Sequence, residues 1–181
     1  MKLGIEVAAE MNVKIVMIPN FFNNFISEDE HFKNAAEALK FCCDLAGKQG
    51  IDIATETVLN WKDHSRIFDM VNMPNLGVFF DSMNYKFFSN YEQMEILKDV
   101  YPKMIPQLHV KDGIDHLSGS LLGEGNMDFF KQMDYLKEKE YSGWIIIENY
   151  YDQLPLRSKN EDDQLELLIR DLETVKKSLG V

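Results

Sequence analysis

Two hydrophobic periods alternate along this chain. Short, continuously apolar runs recur at Val13–Pro19, Ile51–Val58, Leu76–Phe80, Ile105–Val110 and Trp144–Ile147. Between them lie segments whose apolar residues return every three or four positions, the spacing of one helical face. The clearest is about Glu28 to Gln49, where Phe32, Ala35, Ala36, Leu39, Cys42, Cys43 and Ala46 share a face. Ser27 stands where a helix cap belongs and Gly50 where a helix ends. Further helices are expected at Leu3–Met11, Asp63–Asn72 (stopped by Pro74), Tyr91–Tyr101, Asp128–Glu138 and Asp162–Ser178. Strands apolar on both faces, alternating with amphipathic helices, predict a parallel sheet covered by helices: an α/β fold. No linker or low-complexity tract interrupts residues 1–181, so a single domain is expected.

Composition narrows the function. Asp and Glu outnumber Lys and Arg 30 to 19, a formal charge of -11. Such a balance disfavours a nucleic-acid partner, whose phosphates select basic surfaces. No run approaches the length of a membrane span and no signal peptide is apparent. The only cysteines, Cys42 and Cys43, are adjacent, a spacing that disfavours a bridge between them, and they read as two core thiols of a reducing cytoplasm.

Candidate chemistry lies at the strand ends. Glu56 (ATETVLN), Asp81 (VFFDSMN), His109 (PQLHVKD) and Glu148 (IIIENYY) each end or follow an apolar strand. In parallel α/β folds the active site sits at the carboxyl ends of the strands, and successive barrel strands would aim these groups toward one axis. Three carboxylates and an imidazole suit a hard-to-borderline divalent cation. Taken singly, each has a plainer reading, as a helix cap, a loop solvator or a core histidine. Lys111 shares the His109 strand face, and either stabilises an oxyanion or is a solvated strand-end lysine. Asp112 either orients His109 or caps the turn before Gly113. Trp61, Tyr85, Phe88, Tyr150 and Tyr151 read equally as ligand-stacking or packing aromatics. His31, His64 and His116 read as structural or solvated.

The ordered set ATETVLN, GVFFDSMN, QLHVKD, LGEGNMDF and IIIENYY resembles the xylose-isomerase-like barrel superfamily. That group includes ketose 3-epimerases, other sugar isomerases, inosose-processing enzymes and endonuclease IV. The resemblance implies a partial (β/α)8 barrel of about five parallel strands, corresponding to strands four to eight. It implies metal ligands Glu56, Asp81, His109 and Glu148, with Mn²⁺ favoured and Mg²⁺, Co²⁺ or Zn²⁺ also suited. It implies a sugar or sugar phosphate isomerase/epimerase acting by proton abstraction beside a carbonyl through a metal-bound enediolate, with Glu56 and Glu148 as the catalytic pair. Lys111 and Asn84 are then the substrate-binding candidates.

Two departures accompany the resemblance. Such barrels run to about 250 residues, so strands one to three have no counterpart here. The two exposed edges, near Val13–Pro19 and Trp144–Ile147, therefore call for cover, and a homodimer burying well over ~2,000 Å² is the expectation. Asn84 stands where epimerases and endonuclease IV usually carry histidine; it can hold a hydroxyl but cannot shuttle a proton. The histidines of an endonuclease site are missing as well. The alternative to an enzyme is a non-catalytic metal- or sugar-binding fragment, or one subunit of a split barrel.

Overall fold

A computed structural model describes residues 1–156 and 164–180. Five parallel strands alternate with helices, the α/β pattern of a partial (β/α)8 barrel. In chain order the elements are α1 (Lys2–Glu10), β1 (Ile15–Pro19), α2 (Asp29–Gly47), β2 (Asp52–Glu56), α3 (Trp61–Val71), β3 (Leu76–Asp81), α4 (Asn84–Ser89), α5 (Gln93–Val100), β4 (Met104–Val110), α6 (Phe129–Glu138), β5 (Trp144–Ile147) and α7 (Gln164–Leu179). The sheet order is β1-β2-β3-β4-β5, so every strand pairs with its neighbour in sequence. Such pairing follows when each crossover is one short helix. β1 and β5 end the order, as the sequence expectation of two edges requires. No helix of the described residues is long and apolar enough to cross a membrane.

The chain divides into two compact units: Met1–Phe79 with Asp99–Ile105, and Phe80–Lys98 with Pro106–Val181. In the first, β1 lies in register with β2 from Ile15↔Asp52 to Pro19↔Glu56, and β2 with β3 from Ile53↔Leu76 to Thr55↔Val78. Its core joins Ile5 and Ala8 of α1, the Phe32–Ala36–Leu39–Cys43–Ala46 face of α2, Ile53 of β2, and Ile67 and Val71 of α3. Gly77 lets the start of β4 approach β3 closely, since a Cβ there would fall 2.6 Å from the Ile105 side chain. In the second unit, β4 pairs with β5 from Gln107↔Trp144 to Val110↔Ile147. Buried Met83, Tyr85, Leu97, Leu108, Phe129 and Met133 fill its interior, and α6 packs on α7.

The boundaries differ from expectation in a few places. The N-cap of α2 is Glu28, without a side-chain cap, while the Ser27 hydroxyl lies 3.2 Å from His31 Nδ1. α3 starts earlier than expected because the Asn60 side chain accepts from the Asp63 amide and caps it. Residues 84–89 form a helix to which the sequence reading assigned no element, and α5 starts at Gln93 rather than Tyr91. Asp128 precedes α6 but makes no cap; its carboxylate pairs with Lys131 instead. The expected start of the last helix at Asp162 lies outside the described residues.

Candidate metal centre

Asp81 ends β3, and the following Ser-Met-Asn turn decides how its carboxylate is used. Oδ1 accepts the backbone amides of Met83 (2.9 Å) and Asn84 (2.8 Å), which nucleates α4 at its first turn. That leaves Oδ2 facing Lys111 Nζ at 2.9 Å and His109 Nδ1 at 3.5 Å. The Asp81 side chain is 0% exposed. Burial pushes its carboxyl pKa up, but the His109 hydrogen bond, the Lys111 charge and the Met83 amide outweigh burial and hold it below the usual range.

His109 lies one residue from the end of β4, between buried Leu108 and Val110, which the strand's alternation turns to its other face. Its Nδ1 is also 3.4 Å from Glu148 Oε2. Glu148 follows β5, and its amide bonds to Val110 O, extending the ladder by one residue. Its side chain is 37% exposed, the most accessible of the group.

Lys111 carries the same strand face two residues further. It is not a solvated strand-end lysine: its side chain is 3% exposed, and Nζ sits 2.9 Å from Asp81 Oδ2 and 2.5 Å from Glu148 Oε2. Burial lowers the pKa of an ammonium, but here the two carboxylates overcome it and raise it. Ser82 holds the backbone at this point. Its hydroxyl donates to Lys111 O (2.8 Å) and accepts from Lys111 N (2.7 Å), continuing strand-like pairing past the ends of β3 and β4.

Glu56, in the first unit, ends β2 and is 4% exposed. Its carbonyl accepts from Asn20 N (2.9 Å), and Asn20 Nδ2 donates to Thr55 Oγ1. Asn84 is buried at the head of α4.

Asp112 does not reach toward His109. It is buried, and its carboxylate accepts the amides of Gly113, Gly123, Gly125 and Met127, so it ties down the glycine loop. Burial raises its pKa while those four amides oppose the rise. Behind it, Asn149 accepts from Asp112 N and donates to Asp171 Oδ2 (2.7 Å), which also takes the Tyr151 hydroxyl (2.6 Å). Asp171 Oδ1 accepts from Leu122 N, so one buried carboxylate on α7 fixes the segments after β4 and β5. The aromatic candidates divide accordingly. Tyr85 is fully buried against Phe80, and Tyr151 belongs to the Asp171 network. Sequence reasoning missed Ser82, Asn149 and Asp171, whose roles depend on partners 20 to 49 residues away.

The donor set fits a divalent cation. Glu56, Asp81 and His109 are residue types that hold such an ion, each at a strand end. Within the second unit, Asp81 Oδ2 and Glu148 Oε2 flank His109 Nδ1 at 3.5 and 3.4 Å. Ligand bonds of about 2.0–2.2 Å set neighbouring donors roughly 3.0–3.5 Å apart, so these spacings need little adjustment.

Comparison with known proteins identifies the fold that carries these residues. The family model described as a xylose isomerase-like TIM barrel matches residues 1–175. An uncharacterised protein of Methanocaldococcus jannaschii is 29% identical over 175 residues, covering 86% of this chain and 57% of that one. Inosose isomerase of Bacillus velezensis is 28% identical over 162 residues, covering 81% and 57%. The chain therefore spans under two thirds of these relatives' length. D-allulose 3-epimerase from Methylomonas sp., solved with D-allulose, aligns over 98% of this chain and 67% of that chain with a TM-score of 0.74 at 20% identity.

Proposed function

Since the chain belongs to the xylose isomerase-like TIM barrel family, we propose that it is a divalent-metal-dependent isomerase or epimerase of a sugar or sugar phosphate. The observation that carries this reading is the cluster of Asp81, His109, Lys111 and Glu148 at the carboxyl ends of β3, β4 and β5. The proposed ligands are Glu56, Asp81, His109 and Glu148, with Mn²⁺ the favoured ion. Glu56 lies one residue beyond Thr55, which pairs with Val78 three residues before Asp81. A bound divalent cation supplies polarisation of a carbonyl and its neighbouring hydroxyl.

The side chains supply the rest. Glu148, the accessible carboxylate, takes the proton from the carbon beside the carbonyl, and the C–H electron pair moves toward the carbonyl oxygen. Lys111 offsets the developing negative charge. Glu56, protonated when Glu148 is not, gives its own proton to the same carbon from the opposite face in an epimerisation, solvent then resets both carboxyls, and Asn84 holds a hydroxyl. The second reading is a non-catalytic metal- or sugar-binding fragment, or one subunit of a split barrel. The substrate belongs to the carbohydrate class, as for the inosose isomerase and the allulose epimerase. The chain acts as a homodimer in the cytoplasm, where its two free buried cysteines stay reduced.

Solvent deuterium entering a ketose tests the reading. Glu148→Gln should abolish exchange even at saturating Mn²⁺, because an amide can coordinate but cannot accept the proton. Asp81→Asn should regain exchange as Mn²⁺ is raised. Repair by metal in both variants would reduce Glu148 to a ligand. No exchange by the parent with any aldose or ketose would favour the binding fragment.

A further inference from the structure

We infer that Lys111 competes with the divalent cation for the same two carboxylate oxygens, and so sets the metal affinity of the site. The inference rests on the metal reading above. Asp81 has one oxygen to offer, because Oδ1 is committed to the amides of Met83 and Asn84. The other, Oδ2, faces both Lys111 Nζ (2.9 Å) and His109 Nδ1 (3.5 Å). Glu148 repeats the arrangement, with Oε2 2.5 Å from Lys111 Nζ and 3.4 Å from His109 Nδ1. A cation bound through His109 and these carboxylates must draw on the oxygens that the ammonium already holds.

Two positive centres sharing those oxygens would lie a few ångströms apart in a site with little water to screen them, and they repel strongly. Lys111 cannot retreat by backbone movement, because Ser82 pins both its N–H and its carbonyl. Relief comes from the flexible stem, which swings the ammonium off the carboxylates. Cation uptake thus releases a buried positive charge beside the site, where an oxygen of an incoming substrate can take it. Replacing Lys111 by an uncharged residue of similar length removes the competitor and the repulsion together.

The experiment titrates Mn²⁺ into the metal-depleted protein by calorimetry, for the parent, Lys111→Met and Lys111→Gln. Both variants should bind Mn²⁺ about tenfold more tightly or better. Gln keeps a donor if Met fails to fold. In parallel, protein carrying ¹³Cε-lysine is titrated with diamagnetic Mg²⁺. The lysine resonance absent from the variants should move with the calorimetric midpoint measured for Mg²⁺. Equal or weaker binding by the variants, or an unmoved Lys111 resonance while Mg²⁺ binds, overturns the competition and leaves the metal site standing. Absence of binding in parent and variants alike overturns the metal reading and this inference together.

Discussion

His64, on the inner face of α3, is fully buried, and burial pulls its pKa down from 6.5 to about 4. Its Nε2 lies 3.3 Å from Thr57 Oγ1, so a neutral ring suits the site. The folded protein therefore leaves His64 unprotonated where the unfolded chain binds a proton. Stability falls as pH drops from about 6.5 to 4 and this contribution levels off below, a loss of roughly 3 kcal/mol in total. Urea midpoints measured from pH 7 to pH 4 should show that slope, and His64→Gln should flatten it. A wild-type slope that survives the substitution would assign it elsewhere. Gly125 makes a second single-residue test. A Cβ there would fall 2.0 Å from Asp112 Oδ1, so Gly125→Ala should cost about 2–4 kcal/mol in the same assay. Residues of both kinds differ in how readable they were. Asp81, His109 and Glu148 were legible because each closes an apolar run. Lys111 was legible as a partner on the His109 face but not as a buried ion, since nothing local distinguishes it from a solvated lysine.

Among elements, the loop from Ser120 to Met127 is held less by its own turns than by one carboxylate from outside it. Asp112 receives amides from Gly123, Gly125 and Met127, and pairs its own backbone with Ser120. Asp112→Asn would set an NH₂ group against amide donors and leave one acceptor oxygen. Hydrogen exchange at the Gly123, Gly125 and Met127 amides should then quicken by about tenfold to a hundredfold, corresponding to the ~1–3 kcal/mol of an unsatisfied buried group. Exchange unchanged at those three amides would show that the loop stands by its own turns. The segment LGEGNMDF, among those that carry the family resemblance, pointed to this loop but not to its anchor. Helix α4 escaped sequence reading for a related reason. Its six residues, Asn-Tyr-Lys-Phe-Phe-Ser, are too few to display a period, and the helix starts because Asp81 caps it. The longer helices and all five strands show their periods plainly and were readable.

For the molecule as a whole, what stands out is apolar surface left uncovered. Leu165, Leu168, Ile169 and Leu172 form an exposed stripe on α7, and Leu3 and Val7 of α1, with Met11 just past its end, are exposed as well. Trp144 on edge strand β5 is 75% exposed. Faces like these are uncommon on monomers and mark contact surfaces. The proposed homodimer should show a melting midpoint that rises with protein concentration and a sedimentation mass near twice 21.1 kDa. Ile169→Glu should weaken the association if the α7 stripe is part of it. A single 21.1 kDa species with a concentration-independent melt would contradict the dimer.

The two cysteines inside α2 have a use that has nothing to do with chemistry at the strand ends. Both are completely enclosed, and burial raises both thiols, Cys43 to about 12. At neutral pH an alkylating reagent thus finds neither access nor an appreciable thiolate. Modification must wait until α2 lifts away from the rest of its unit. The rate of maleimide uptake is therefore a clock for opening of Met1–Phe79, readable in dilute native buffer without any introduced label. If a tightly binding ligand bridges to that unit, the clock should slow in proportion to occupancy.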